Sequence, residues 1–220
     1  MGKRLLIICS LFLAALFCII VTANKNIAKA EDSIYLKINE NCENLPEGFF
    51  ENQREANEIT DRFFKSLAGK NGWVEDHSAY TVNGLRAEAF PSYYAGSYIN
   101  MEGHLVIQIK EDYYTENYRE SEWYSELIET VENDNFYCHP VTYSYSELIN
   151  AMTDIVMGDI RNEMNEVGVI ISGAGINDYK NQINVYVKTQ EDYEYVAEKL
   201  SPELYSVEIK DCTIQNYSKQ

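Results

Sequence analysis

The chain has 220 residues, with 45% hydrophobic and 24% charged side chains and with 35 acidic residues against 18 basic ones. Its net charge of −17 would repel phosphate groups, which argues against nucleic acid and anionic membrane lipid as partners. A basic protein partner is compatible with this charge, although acidity also serves simply to keep an exported protein in solution.

The first thirty residues have the order of a secretory signal peptide. Lys3 and Arg4 precede an apolar run over residues 5–23, and Ala28 and Ala30 form a small-x-small cleavage site. We therefore predict a signal peptide over residues 1–30 and a secreted mature protein. The alternative is a retained anchor in the outer face of the cytoplasmic membrane, since about 19 apolar residues can span a bilayer. Without the leader the chain keeps 14 basic and 35 acidic residues, a net charge of −21.

Residues 31–50 are predicted to form an extended arm, and residues 51–133 a first lobe of helices and a β-hairpin. A helix begins at Glu51 and ends near Gly69. A hairpin follows, with its turn at residues 100–103. The next segment, residues 113–122, is acidic and rich in tyrosine, and we interpret these tyrosines as packing residues rather than as a recognition surface. The apolar positions of the first helix, of the returning hairpin strand and of a last helix are Ala56, Ile59, Phe63 and Leu67, then Leu105, Ile107 and Ile109, then Trp123, Leu127 and Val131.

Residues 134–212 are predicted to form a second lobe. A strand over residues 136–143 is followed by an S-x-x-E capping box, Ser144 to Glu147, that opens a helix of about twenty residues. Thr189 caps a second, shorter helix that ends before Pro202. Three further strands show alternating apolar residues: Val167, Val169 and Ile171, then Ile183, Val185 and Val187, then Tyr205, Val207 and Ile209. The order βαββαβ predicts a ferredoxin-like lobe, and the whole chain is predicted to be α+β.

The stretch VIISGAGIND, residues 169–178, superficially resembles a nucleotide-binding loop. Such a loop needs a third glycine and a helix that receives the pyrophosphate, whereas Asp178 stands at the third position here and an alternating strand follows. Gly173 and Gly175 are therefore assigned to a hairpin, and no cofactor is predicted.

No catalytic or metal-binding residues are predicted. The histidines His77, His104 and His139 lie outside the G-x-S-x-G and H-E-x-x-H motifs. The acidic segment lacks the spaced oxygens and central glycine of a calcium loop. With 35 acidic residues some carboxylate pairs will be close by chance, so a glycosidase-type site has no specific signal. We expect a protein that is not an enzyme.

Three segments together resemble a known family. They are YYAGSYINMEGHLVIQI (93–109), VTYSYSELINAMTDI (141–155) and GAGINDYKNQINVYVK (173–188). In order and spacing they are similar to the N-terminal pro-regions of bacterial chymotrypsin-fold serine proteases of the α-lytic protease and streptogrisin kind. The similarity covers roughly residues 90–210. The chain has no Gly-Asp-Ser-Gly-Gly motif, so the protease domain itself is not expected here.

The resemblance implies a two-lobed module that binds a secreted serine protease as an inhibitor or a folding aid. An extracellular or membrane-anchored interaction module unrelated to proteases is the alternative. By position, a C-terminal tail over residues 213–220 would enter the partner's cleft, although a frayed terminus is the simpler interpretation of these residues. The residues assigned to partner binding on this basis are Thr213, Ile214, Gln215, Asn216 and Tyr217.

The cysteines permit at most one intrachain bridge after the leader is removed. Cys42, Cys138 and Cys212 remain, an odd number without C-x-x-C spacing. In a ferredoxin-like sheet the first and last strands are neighbours, so a disulfide between Cys138 and Cys212 is the pairing that this fold would favour in an oxidising compartment.

Overall fold

A computed structural model describes residues 45–71 and 81–210, and those from Gly48 onward form one compact unit. The α+β class is confirmed. The five helices of the described residues are α1 (Phe49–Asn71), α2 (Glu122–Val131), α3 (Tyr145–Met157), α4 (Asp159–Glu166) and α5 (Gln190–Lys199). Their six strands are β1 (Tyr94–Ile99), β2 (Leu105–Lys110), β3 (Phe136–Val141), β4 (Ile171–Asn177), β5 (Gln182–Val187) and β6 (Tyr205–Ile209).

Helix α1 forms where the apolar spacing predicts it. Its four predicted core positions, Ala56, Ile59, Phe63 and Leu67, are all buried. The helix packs on α2 and β2, and the Arg62 guanidinium donates a hydrogen bond to the last carbonyl of α2 at 2.7 Å. The stripe of three- and four-residue spacing thus becomes one wall of the core.

The strands form two sheets of three strands, in the orders β1-β2-β3 and β4-β5-β6. In each sheet the first two strands are an antiparallel hairpin, and the third strand pairs in parallel with the second after a helical crossover. The hairpin that carries Gly173 and Gly175 is confirmed as β4 and β5.

The two halves of the chain repeat one αββαβ plan with the same register. The first hairpin has an irregularity between Tyr94 and Gly96, and the second has one at the corresponding place, between Ile171 and Gly173. The parallel pairs also correspond. Ile109 and Val187 are equivalent, because they pair with Tyr94 and Ile171 at the two irregularities, and they lie opposite Pro140 and Ile209 in the third strands. Position by position along the third strands, Pro140 of β3 corresponds to Ile209 of β6.

The prediction of a four-stranded ferredoxin-like lobe is wrong. Strand β3 lies beside β2 in the first sheet and not beside β6, so the predicted border at residue 134 separates β3 from its own sheet. The physical reason is that β2 is buried on both faces and offers β3 a parallel apolar neighbour through the crossover helix α2. Alternation within β3 could not reveal which sheet it joins.

Two element boundaries in the second half also differ from the prediction. The capping box of Ser144 and Glu147 is present, but the predicted twenty-residue helix breaks at Gly158 into α3 and α4. Strand β4 begins at Ile171, and exposed Val167 precedes it in a connecting loop. The alternation of valines before residue 171 therefore did not indicate a strand.

Helix α3 connects the halves. It packs on β4 and β5 of the second sheet and also on β1 and the short 3-10 turn at Ala87–Ala89. Its residue Ser146 donates a hydrogen bond to the carbonyl of Ala87 at 2.7 Å. Buried residues of both halves, such as Leu127, Leu148 and Val185, belong to one continuous hydrophobic core.

Candidate protein-binding surface

Strand β6 forms an edge of the second sheet. It pairs only with β5 among the described residues, so its other side has no strand partner in that part of the chain. The Lys210 amide donates to the carbonyl of Val187 at 2.7 Å, and the Ile183 amide donates to the carbonyl of Leu204 at 2.8 Å. Because backbone groups alternate in direction along a strand, the amides and carbonyls of Tyr205, Val207 and Ile209 point away from β5.

The corresponding edge of the first sheet is blocked. Strand β3 carries Pro140 at the position that Ile209 occupies in β6. Proline has no N–H, and it is confined in sheets to edges and to positions whose N–H would face away from the neighbouring strand. Proline on an edge strand also hinders the addition of a further strand. The edge of β6 has no proline, and within the described ranges no strand pairs with it.

The end of β6 is fixed to its sheet. The Ser172 hydroxyl donates to the Lys210 carbonyl at 2.6 Å and also lies 3.1 Å from the Tyr186 carbonyl. The Lys210 ammonium lies 4.6 Å from the centre of the Tyr186 ring, which gives a cation–π contact. The chain therefore leaves the sheet at a defined point, from which the predicted partner-binding tail would start.

Exposed apolar side chains lie at this same end of the second sheet. Ile209 is 50% exposed, and Val167 and Ile170, just before β4, are 55% and 54% exposed. The start of β4 pairs with the end of β5, which pairs with the end of β6, so these side chains share one end of the sheet. Only Ile209 lies on β6 itself, because β4 is at the opposite edge of the sheet. An exposed apolar side chain on an edge strand is compatible with a protein contact.

The predicted tail residues Thr213, Ile214, Gln215, Asn216 and Tyr217 lie outside the described residues, and so does Cys212. The premise of the predicted disulfide fails, because β3 and β6 belong to different sheets. Cys138 in β3 is half-buried and forms no disulfide with another described residue, and burial raises the pKa of its thiol to about 12. The Cys138 to Cys212 pairing itself remains a prediction.

The histidines among the described residues lie apart from each other. His77 lies outside the described residues, His104 follows the turn of the first hairpin, and His139 is exposed in β3. In residues 45–71 and 81–210 no group of three or more His, Cys, Asp or Glu side chains is arranged to hold a metal ion. No helix within those same ranges is long and apolar enough to cross a membrane.

The acidic, tyrosine-rich segment before α2 packs mainly on itself. The ring of Tyr118 stacks on Tyr114 at 4.7 Å and on Trp123 at 6.0 Å between centroids. All three rings are half-buried, and those of Tyr114 and Trp123 pack against the core. The interpretation of these tyrosines as packing residues agrees with this arrangement.

Sequence reasoning missed the open edge of β6. The alternation of Tyr205, Val207 and Ile209 did predict the strand, but the sequence does not say which strands lie at an edge. The signal that could have helped was the contrast between Pro140 and Ile209, which becomes visible only once the two halves are aligned as repeats.

Comparison with known proteins finds one family. A family model described as a Pro-like N-terminal domain matches residues 45–141, which is less than half of the chain. This range contains α1, β1, β2, α2 and β3, the first αββαβ half, and it ends with the last residue of β3. The match supports a pro-domain-like module. No curated protein and no solved structure matches the chain.

Proposed function

We propose that this chain is an exported, non-enzymatic protein that binds another protein through the open edge of β6. The observation that carries the proposal is the outward row of backbone groups at Val207 and Ile209, which have no strand partner among the described residues, together with the exposed side chain of Ile209. An extended segment of a partner can add to such an edge as a further strand, with main-chain hydrogen bonds supplying affinity.

The partner class proposed is a secreted serine protease, which the protein would inhibit or help to fold. The match of residues 45–141 to a Pro-like N-terminal domain supports a pro-domain type of module. The resemblance of the segments in 93–188 to protease pro-regions supports this partner over other extracellular proteins. Residues 213–217, which begin three residues after Lys210, are proposed to enter the partner's cleft.

A pull-down with two variants tests the proposal. The wild-type chain, Ile209→Pro and Ile209→Thr are expressed in the producing cell with their own leader, and each is immunoprecipitated from culture fluid and envelope extract. Proline removes an outward N–H while leaving the ladder to β5 intact, as Pro140 does in β3. Threonine removes the exposed apolar side chain and keeps the N–H, so it is the matched control.

We expect the wild-type chain to retain a chymotrypsin-fold protease and to slow its turnover of a peptide substrate. Ile209→Pro should lose at least tenfold in affinity, and Ile209→Thr should lose much less. Retention of a wall or envelope component without any protease would leave binding by the β6 edge intact but reject the protease. Equal binding by the wild type and Ile209→Pro would reject the edge as the docking site.

A further inference from the structure

The turn of the second hairpin is inserted into the first half of the molecule. Asn181 in this turn is 5% exposed, and its side-chain oxygen accepts a hydrogen bond from the Tyr143 amide at 2.8 Å. Its side-chain nitrogen donates to the carbonyls of Tyr143 at 2.8 Å and of Ala95 in β1 at 3.3 Å. This amide therefore holds the turn against β1 and the segment before α3.

Asp178, in the same turn, faces the first sheet at Gly96. A Cβ atom on Gly96 would lie 3.0 Å from the Asp178 Oδ1 atom and 3.0 Å from the Gln108 Oε1 atom, so these two oxygens lie within about 6 Å of each other. Gly96 has a φ of +121°, and the absence of a side chain there makes room for both groups. The Asp178 carboxyl of the second half and the Gln108 amide of the first half thus lie close together beside Gly96.

This contact contains polar atoms that lack partners. Gln108 is fully buried in β2, and neither its Oε1 nor its Nε2 atom has a hydrogen-bond partner in the described part of the chain. The Asp178 Oδ1 atom is also buried and also has no hydrogen-bond partner in that part of the chain. Buried polar groups are nearly always paired, so such a cluster calls for a physical explanation.

A proton on Asp178 would account for the two facing oxygens of this cluster. The titratable groups that face the carboxyl are the hydroxyls of Tyr94 in β1 and Tyr145 in α3, and Lys180 of the same turn is exposed. Within the described residues no cation forms an ion pair with Asp178. Burial raises the pKa of Asp178 to about 6, although a hydrogen bond from Tyr145 opposes this rise.

We propose that Asp178 is a proton-operated latch between the two halves of the molecule. In its protonated form the carboxyl donates a hydrogen bond to the Gln108 Oε1 atom, which pairs these two oxygens and leaves the Gln108 Nε2 atom without a partner in the described part of the chain. When the proton is released to solvent, two acceptor oxygens face each other in a buried site, and the turn loosens from β1. The proposal goes beyond partner binding, since it concerns how firmly the second hairpin is held at different pH values.

Hydrogen–deuterium exchange of the full chain at pH 4 and pH 7, corrected for intrinsic exchange, tests the latch. In the wild type we expect protection of peptides that cover residues 94–99 and 177–183 to fall up to about 50-fold, from a pKa of 3.8 in the open form and of about 6 in the closed one. Asp178→Asn carries a permanently neutral donor, so its protection should not change with pH. Asp134→Asn, an exposed aspartate in a loop, is the matched control and should behave like the wild type.

A carbon-13 titration of the wild-type carboxyl groups, assigned through the backbone, gives a second measurement that needs no variant. We expect the Asp178 carboxyl to titrate near pH 6. Titration at the ordinary pKa of an aspartate, or pH-dependent exchange that is the same in the wild type and in Asp178→Asn, would overturn the proposal.

Discussion

Replacing Asn181 with alanine removes the amide that joins the second hairpin to the first half. Its two bonds to the Tyr143 backbone are both 2.8 Å long, and the side chain is almost fully buried. Loss of these bonds leaves a donor and an acceptor unsatisfied, at a cost of about 1–2 kcal/mol each, or about 2–4 kcal/mol together. Alanine at the observed φ of +52° adds about 1 kcal/mol of backbone strain.

A second asparagine separates these two effects. Asn83 has a φ of +50° but is exposed, so Asn83→Ala imposes the same backbone strain at a solvated turn. We expect the free energy of unfolding to fall by about 3–5 kcal/mol in Asn181→Ala and by about 1 kcal/mol in Asn83→Ala.

Urea unfolding followed by the fluorescence of the two tryptophans measures both variants. If the two substitutions lower the free energy of unfolding equally, within about 0.5 kcal/mol, the hydrogen bonds of Asn181 do not hold the halves together. Asn181→Gly relieves the backbone strain but still lacks the side-chain amide. It should therefore lower the free energy of unfolding by most of the amount seen for Asn181→Ala.

Three further substitutions test local features by thermal unfolding. The Lys110 ammonium lies 2.8 Å from the Glu147 carboxylate, and although burial acts to raise the pKa of Glu147, hydrogen bonds from Lys110 and the helix cap lower it overall. This stabilisation is present above the ordinary pKa of 4.5 and is lost as the pH falls through the lowered pKa of the folded state. Glu147→Gln should therefore remove about 0.5–1 kcal/mol at pH 7 and progressively less as acid protonates the carboxyl, and a loss that does not change with pH would contradict the ion pair. Gly158→Ala should destabilise the protein by about 1–3 kcal/mol, because the new Cβ would lie 2.7 Å from the Asp154 Cα atom. Gly69→Ala should instead stabilise helix α1 by about 0.5–1 kcal/mol, because a Cβ atom at Gly69 would have no other atom within 4 Å. An equal fall in stability in both glycine variants would refute the steric explanation.

The elements that could be predicted are those whose signal is local. Helix α1, the first hairpin, the Ser144 capping box and the Thr189 cap all depend on residues within one or two turns of each other, and all are confirmed. The break at Gly158 was missed because the apolar stripe continues across it, and only the backbone shows that a Cβ there would meet the preceding turn.

The pairing of strands could not be predicted because it depends on contacts between residues that are far apart in the chain. The alternation of residues in β3 is compatible with either sheet. Its pairing with β2 depends on contacts with residues some thirty positions earlier in the chain. The contact of Asp178 with Gln108 joins positions seventy residues apart and has no sequence signal. The edge of β6 was not predicted, since its edge position follows from topology, and the predicted tail over residues 213–217 lies outside the described residues.

The end of the family match at residue 141 coincides with the end of the first sheet, yet it is not a place where the molecule can be divided. Tyr94 and Phe90 of the first half pack against the ring of Tyr145, which belongs to the first turn of α3. A fragment that stopped at residue 141 would expose these rings and the buried amide of Gln108 to water. The two repeats should therefore melt in a single transition, as one folding unit built from two copies of the same plan.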